Sequence, residues 1–368
     1  MFLSPRTLSV LRLSLSISED SAPYNQFSLP FTSNDRVRVS ICTYFKSYIK
    51  APKEIPLYAG DGSLLGFLRA MKMALNSSSL DIVHVHTPQL GLLLILMIPF
   101  IGRLLDKSVL TVHNSYPSYK PRNKLLYLLI FTFYRKVIFC SHASFDSFPT
   151  IYKALAGNRS RVIPNGVDIN RVDKITNNCS KAIQSNNFKL VVVGRLVPIK
   201  NPLMALQSFY RSSNNNCTLT FIGEGLLRDD LMLGIEKLNL NSRVNITGLI
   251  PREDVFVQLL DADLFISTSK GEDLPVAVLE AMACRCPVLL SDIPSHREIA
   301  DSADFIQLIS PDDLAGFTRE INRYRHMEKV DRTRIGEKCR ELVEERFSLD
   351  QMLAAYEEIY LEVARLIN

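Results

Sequence analysis

Apolar positions along the chain fall into short unbroken runs, separated by stretches in which apolar side chains recur every three or four residues. The runs are rich in Val, Ile and Leu, the pattern of strands covered on both faces. The periodic stretches are the pattern of helices with one buried stripe. Strands are predicted over 37–43, 81–86, 108–112, 137–140, 190–193, 218–222, 244–247, 264–267 and 288–291. A first strand is predicted over 10–17, where Leu11, Leu13, Leu15 and Ile17 alternate with Val10, Arg12, Ser14 and Ser16. Helices are predicted over 64–75, 124–134, 202–210, 228–238, 254–260, 276–283 and 348–367. Such alternation argues a parallel sheet with helices on both faces. It occurs twice, on either side of a polar stretch from Asp168 to Asn187 that reads as the connection between two domains. The expected fold class is α/β, with two doubly wound domains, 1–168 and 169–347, facing across a cleft, and a last helix over 348–368.

Composition narrows this picture. Of 368 residues 47% are apolar and 22% charged, too apolar for a disordered chain, and 15 Gly with 18 Pro exclude collagen-like architectures. Seven cysteines stand at scattered spacings without a C-x-x-C pair, as reduced buried thiols do, and no zinc site is expected. The basic residues do not cluster with aromatics, which argues against a nucleic-acid partner. Charge is uneven: residues 1–170 hold 19 basic and 9 acidic residues, and residues 171–368 hold 24 and 29. A basic first half points to an anionic partner or surface, against the plainer reading of solvated faces.

No secretory signal is expected, because serines interrupt the apolar residues of 1–17. The strongest membrane candidate, LGLLLILMIPFIG at 90–102, is 13 residues long and interrupted by Pro99, too short to span. It and the run 125–134 are expected as buried helices. Arg103, Lys107, Lys120, Arg122, Lys124, Arg135 and Lys136 surround them, a mixture also suited to resting on an anionic bilayer. The expected location is cytoplasmic, with the inner face of the plasma membrane as the surface in question.

Candidate chemistry concentrates in the second half. In Val191-Val-Val-Gly194-Arg195-Leu-Val-Pro-Ile-Lys200-Asn201-Pro202 a buried strand ends at Gly194, and Asn201-Pro202 reads as the cap and first position of a helix. Two cations, Arg195 and Lys200, beside a helix start suit a diphosphate, although exposed charges alone would look the same. Further on, Glu272 stands in a loop and Glu280 eight residues later in a helix starting near Leu274-Pro275. Amides at such a start can receive phosphate oxygens, and a glutamate can accept two ribose hydroxyls. Two glutamates flanking a Pro-started helix in an apolar segment are hard to explain as surface residues.

These pieces, with Ile163-Pro-Asn-Gly166-Val-Asp168, Phe221-Ile-Gly223-Glu-Gly225 and Gly248-Leu-Ile-Pro251, stand in an order that resembles the group 1 (family 4) glycosyltransferases. The resemblance is strong over 160–300 and weaker toward both ends. It implies the GT-B arrangement of two Rossmann-like domains, with the last helix crossing back to the first. It also implies a retaining hexosyltransferase that takes a UDP- or GDP-sugar as donor and needs no bound cofactor or metal, the leaving diphosphate being neutralised by cations and a helix dipole. Arg195 and Lys200 would hold the diphosphate, helped by amides around Leu274, Pro275 and Val276. Glu280 would bind the ribose, Glu272 the sugar hydroxyls, and the backbone near Leu249-Ile250 the base, with Gly223 in the same donor region. His113, ending Leu110-Thr-Val-His-Asn, matches the family's strand-end histidine facing the donor sugar. Expected partners are a nucleotide-sugar donor, a glycan or lipid-linked acceptor of cell-surface polysaccharide biosynthesis, and an anionic membrane surface.

Three candidates remain for the acceptor side. His84 and His86 share one side of a strand without an evident third metal ligand, so His86 is read as structural or acceptor-facing. His142 is a further candidate. Many relatives carry a glycine-rich turn after the first strand; here Ser18 to Asn25 takes its place, leaving side chains of Ser21 and Asn25 to make those contacts. The competing readings are a nucleotide-sugar epimerase or a phosphorylase of the same architecture, and a non-catalytic nucleotide-binding module. No G-x-G-x-x-G follows a strand, which weighs against the last.

Overall fold

A computed structural model describes residues 7–18, 24, 28–47, 49, 51–77, 79–97, 102–178, 187–212 and 216–366. Ser21 and Asn25, the proposed substitutes for a glycine-rich turn, lie outside the described residues. The chain divides into two units, one of 1–165 with 350–368 and the other of 166–349.

In the first unit the strands are β1 (Leu8–Ser14), β2 (Val37–Thr43), β3 (Leu57–Ala59), β4 (Ile82–Val85), β5 (Ser108–Val112), β6 (Lys136–Phe139) and β7 (Ser160–Val162). They form a parallel sheet in the order β3-β2-β1-β4-β5-β6-β7, with Leu11 opposite Val83 and Leu110 opposite Val137. The helices are α1 (Leu64–Ser77), α2 (Pro88–Leu96), α3 (Pro121–Phe133), α4 (His142–Ser147) and α5 (Thr150–Ala156). Proline opens α2 and α3 where its missing N–H and fixed φ cost nothing. Phe67, Met71, Leu90, Tyr127, Ile130 and Phe131 carry these helices into one core with the strands.

In the second unit α6 (Ile169–Asn178) precedes β8 (Phe188–Val193), α7 (Pro202–Ser212), β9 (Cys217–Ile222), α8 (Arg228–Lys237), β10 (Val244–Gly248) and α9 (Arg252–Leu260). There follow β11 (Leu264–Ser267), α10 (Val276–Ala283), β12 (Val288–Ser291), α11 (Pro294–Ala300), β13 (Gln307–Ile309), α12 (Leu314–His326) and α13 (Lys329–Arg346). The sheet order is β10-β9-β8-β11-β12-β13, all parallel, with Phe265 opposite Val191. In both sheets the winding direction reverses once, between β1 and β4 and between β8 and β11. Such reversals leave a crevice at the strands' carboxyl ends.

Two expectations are revised. The polar stretch 168–187, read as a connection, contains α6, whose Ile169, Val172 and Ile175 meet the second core at helical spacing. The apolar runs do not form fully buried helices. In α3, Tyr127, Ile130 and Phe131 face inward, but Leu125, Leu129 and Phe133 are 65%, 47% and 50% exposed, because a helix apolar all round cannot bury every side against one sheet. Among the described residues no helix is long and apolar enough to cross a membrane.

The last helix, α14 (Leu349–Arg365), belongs with the first unit. A polar network fastens it there. The fully buried Arg12 donates to Tyr360 Oη at 3.1 Å, and the same hydroxyl lies 2.8 Å from His84 Nδ1. His84 Nε2 lies 2.8 Å from Thr111 Oγ1, which is 3.0 Å from Tyr356 Oη. At the rim, Lys136 pairs with Glu362 at 2.5 Å and Arg36 with Glu357 at 3.0 Å.

Candidate functional site

The buried apolar strands β8 and β11, adjacent at the centre of the second sheet, end side by side, and the polar residues of the site begin where they stop. After β8, Gly194 takes a φ of 151°, a conformation that favours glycine. Asn201 sits in the left-handed region at φ 51° and starts α7, with its Nδ2 donating to Pro311 O at 3.1 Å. Between them a short turn presents Arg195, which is exposed, and Lys200.

The β11 end is tied to this turn. Thr268 Oγ1 donates to Asn201 O at 2.8 Å, and Lys270 N donates to Ile199 O at 2.8 Å. The loop between β11 and α10 can then place Glu272 against Lys200. The ammonium reaches both carboxylate oxygens, Oε2 at 2.5 Å, and Ser269 Oγ donates to Oε1 at 2.7 Å. The Glu272 side chain is 10% exposed, so this is a largely desolvated pair. Arg195, Lys200, Glu272, Pro275 and Val276 line one cavity of about 80 Å³ at the reversal of strand order. By position the Val276 and Ala277 amides at the start of α10 lack intrahelical acceptors and favour an anion there, whereas Val278 N already donates to Pro275 O at 3.0 Å.

Beneath the loop lies His296 of α11, fully buried, with Nδ1 2.8 Å from Ser291 O and Nε2 3.4 Å from Ser267 Oγ. Ser291 Oγ donates to Ser269 O at 2.5 Å, which fixes the residue that holds Glu272. Burial lowers the His296 pKa to about 4, partly offset by its hydrogen bond to Ser291 and by Glu272. The imidazole is therefore neutral at pH 7 in both folded and unfolded chains. As pH falls below about 6.5 the unfolded chain takes the proton first, so stability drains away between about 6.5 and 4. About 2 kcal/mol from this one group is expected to be gone at pH 5. Urea titrations at pH 7 and 5 read that loss, and a His296→Gln chain should show correspondingly less of it.

Glu280, inside α10, is 6% exposed and pairs with the guanidinium of Arg252 in the first turn of α9. Burial pushes its carboxyl above the ordinary range, while Arg252 and then Arg171 pull it back. Leu249, before α9, is 76% exposed, and Ile250 is half-buried. Gly223, at φ 141°, packs against Gly194 so closely that a Cβ would enter the surface of the Gly194 carbonyl. Leu274 is buried in the second core.

In the first unit, His113 follows β5 and its Nε2 lies 2.9 Å from Nδ1 of the buried His86. Their rings stack with centroids 5.2 Å apart, and His86 in turn meets His84 at 4.2 Å. Burial lowers the His113 pKa to about 4 and holds His84 and His86 well below the usual value, so all three are neutral at pH 7. His142 is exposed at the start of α4.

Comparison with known proteins settles the family. A family model described as "Glycosyl transferases group 1" matches residues 173–342, and a second, "Glycosyltransferase Family 4", matches 35–171. The chain belongs to the group 1 glycosyltransferases. It is 26% identical over 332 residues to the Escherichia coli UDP-Gal:alpha-D-GlcNAc-diphosphoundecaprenol alpha-1,3-galactosyltransferase, covering 84% of this chain and 82% of that one. It is also 26% identical to the putative glycosyltransferase EpsD of Bacillus subtilis, over 85% of each. Among solved structures, sucrose-phosphate synthase from Thermosynechococcus elongatus superposes with a TM-score of 0.80 at 14% identity, covering 97% of this chain and 99% of that one. Anabaena Alr3699/HepE in complex with UDP-glucose gives 0.74 at 20% identity, covering 98% and 99%. Both show the GT-B fold for this group 1 glycosyltransferase.

Of the residues read from the sequence of this group 1 glycosyltransferase as candidates for donor binding, Lys200 pairs with Glu272, and Glu280 pairs with Arg252, a residue that reading did not name. Arg252, Ser269 and His296 were not legible. Each acts through a partner 3 to 29 positions away; Arg252 and His296 belong to no motif, and Ser269, although inside the segment that carries Glu272, had no role assigned to it.

Proposed function

We propose that this group 1 glycosyltransferase moves a hexosyl group from a UDP- or GDP-sugar to a glycan or lipid-linked acceptor, with retention of anomeric configuration, in polysaccharide biosynthesis. The observation that carries the reading is the cation and carboxylate cluster at the reversal of strand order, where Arg195, Lys200 and the start of α10 meet Glu272. Lys200 and Arg195 balance the charge that grows on the leaving diphosphate, and no metal is required of them. Glu272 accepts from sugar hydroxyls, Glu280 from the ribose, and the Leu249–Ile250 backbone borders the base. His113, kept neutral by burial, is the first unit's contribution to the reaction, with His86 and His142 assigned to the acceptor side. Support for donor and acceptor comes from the names of the relatives: a galactosyltransferase taking UDP-Gal and a diphosphoundecaprenol-linked sugar, and a structural neighbour holding UDP-glucose.

Retention follows a front-face route. The bond from the anomeric carbon to the diphosphate breaks as the acceptor oxygen bonds on the same face. The acceptor proton passes to the departing phosphate oxygen. NMR of the product is expected to show the donor's anomeric configuration; an inverted linkage refutes this step. Incubated with donor alone, the enzyme should slowly release free sugar, which a nucleotide-binding module would not do.

The acceptor's membrane suggests a use for the exposed stripe of α3. Leu125, Leu129 and Phe133, with Leu96 at 63% exposure on the neighbouring α2, stand beside Lys120, Arg122 and Arg135. This surface suits peripheral attachment to an anionic cytoplasmic leaflet, with about 1 kcal/mol per basic residue near the lipid. Cosedimentation with anionic vesicles is expected at low salt, reduced at high salt, and lost in a Leu125→Ser/Leu129→Ser chain. Equal recovery in the supernatant with anionic and neutral vesicles at both salts refutes the attachment.

A further inference from the structure

Glu280 poses a problem that the family likeness does not solve. A carboxylate can accept from two ribose hydroxyls only when it is ionised; protonated, it becomes a donor at one oxygen. Yet this carboxyl sits in a largely apolar helix, 6% exposed, among Leu279, Ala281 and Met282 of the second core. Such burial disfavours the charge. The charged and titratable groups that face it come from four directions. Arg252 on α9 pairs with it directly. Arg171 on α6 also pulls its carboxyl down, but its guanidinium is engaged with Glu253. Cys284, capping the end of α10, is a thiol that burial and Glu280 itself keep protonated. Arg340 on α13 donates to Ala283 O at 2.8 Å and Asp173 Oδ2 at 2.8 Å, and so is committed elsewhere.

Arg252 is also held where it is. Gly248 takes a left-handed φ of 74°, turning the chain into Leu249-Ile250-Pro251, so that Arg252 falls in the first turn of α9. Its guanidinium lies over the Phe256 ring at 5.9 Å from the centroid, with that of Arg171 at the same distance from this ring.

We propose that Arg252 is a positioning residue for nucleotide binding, holding Glu280 as an ionised, correctly aimed acceptor for the donor's ribose; this rests on the assignment of Glu280 above. Arg252 need not touch the nucleotide. Its removal leaves a buried carboxyl without its closest counter-charge, and the carboxyl neutralises by taking a proton. Nucleotide affinity then acquires a dependence on pH that the intact protein lacks.

The test is calorimetric binding of UDP and of GDP to the full chain between pH 7 and 9, above the range where the diphosphate itself titrates. The intact protein is expected to bind its preferred nucleotide with one affinity throughout. Arg252→Gln should bind it about tenfold more weakly at pH 7 and recover most of that loss by pH 9, since one proton must leave before binding. Arg252→Lys, which keeps the charge, should stay near the intact protein at every pH. A loss of equal size at all pH values in Arg252→Gln or Arg252→Lys, or no loss in Arg252→Gln, overturns the proposal. Glu280→Gln separates this failure from that of the underlying assignment. If Glu280→Gln binds UDP and GDP like the intact protein, the ribose role of Glu280 is wrong. If it binds weakly while Arg252→Gln shows no pH dependence, only the role of Arg252 is wrong.

Discussion

Replacing Arg195 and Lys200 together with alanine is expected to weaken the binding of the donor's nucleoside diphosphate by several hundredfold or more. Each charge-assisted contact to a phosphate oxygen contributes about 2–3 kcal/mol, roughly 30- to 150-fold in affinity. The fold should survive, since Arg195 is exposed and Lys200 is held by a loop carboxylate rather than by the core. The structure adds a refinement. Without donor, Lys200 is already neutralised by Glu272, so a diphosphate must compete for the ammonium. Glu272→Gln should therefore leave affinity for the free diphosphate unchanged or tighter, while slowing sugar transfer. Calorimetry with UDP and GDP on the two variants distinguishes these outcomes, and unchanged affinity in the double alanine chain sinks the diphosphate assignment.

Gly223→Ala should damage the same site from below. Its φ of 141° is one that L side chains rarely adopt, and the added methyl would collide with the carbonyl of Gly194, the residue before Arg195. Backbone strain of this kind costs about 1–3 kcal/mol, and the collision adds to it because the obstacle is backbone. Gly223 N also donates to Gly248 O at 2.9 Å, so a shift would spread from the Arg195 turn to the one before α9. A fall in melting temperature of about 5–12 °C is expected, with weakened nucleotide binding in the folded fraction. A variant that melts and binds like the parent would mean that the turn relaxes freely.

Much of this architecture could be read from hydrophobic pattern. Strands over 37–43, 108–112, 264–267 and 288–291 and the helix over 276–283 match the structure to the residue, because each is an apolar run or stripe bounded by polar residues. The strands Leu57–Ala59, Ser160–Val162 and Gln307–Ile309 escaped. They are three residues long, lie at sheet edges and bury no side chain fully. Helices α12 and α13 escaped for another reason: Phe317, Ile321 and Tyr324, or Cys339 and Val343, are spread among charged residues that mask the period. The site divides in the same way. Residues in a contiguous motif, such as Glu272 and Glu280, were legible. Arg252 and His296, which reach those loops only through the folded chain, carry no local mark.

The anchoring of α14 also bears on how the protein is made. The first unit contains a buried guanidinium, Arg12, and a buried imidazole, His84, whose hydroxyl partner Tyr360 is supplied by the last helix in the chain. During synthesis all the strands of that unit leave the ribosome long before residue 360 does. Domains ordinarily fold as units in the order of their synthesis, but this one must wait, with the Arg12 face of its sheet uncovered, until α14 has emerged. The second unit, continuous in sequence, is under no such delay. A nascent chain stalled before residue 349 would present a folded second half beside an incomplete first, a target for chaperones and proteases rather than a working intermediate.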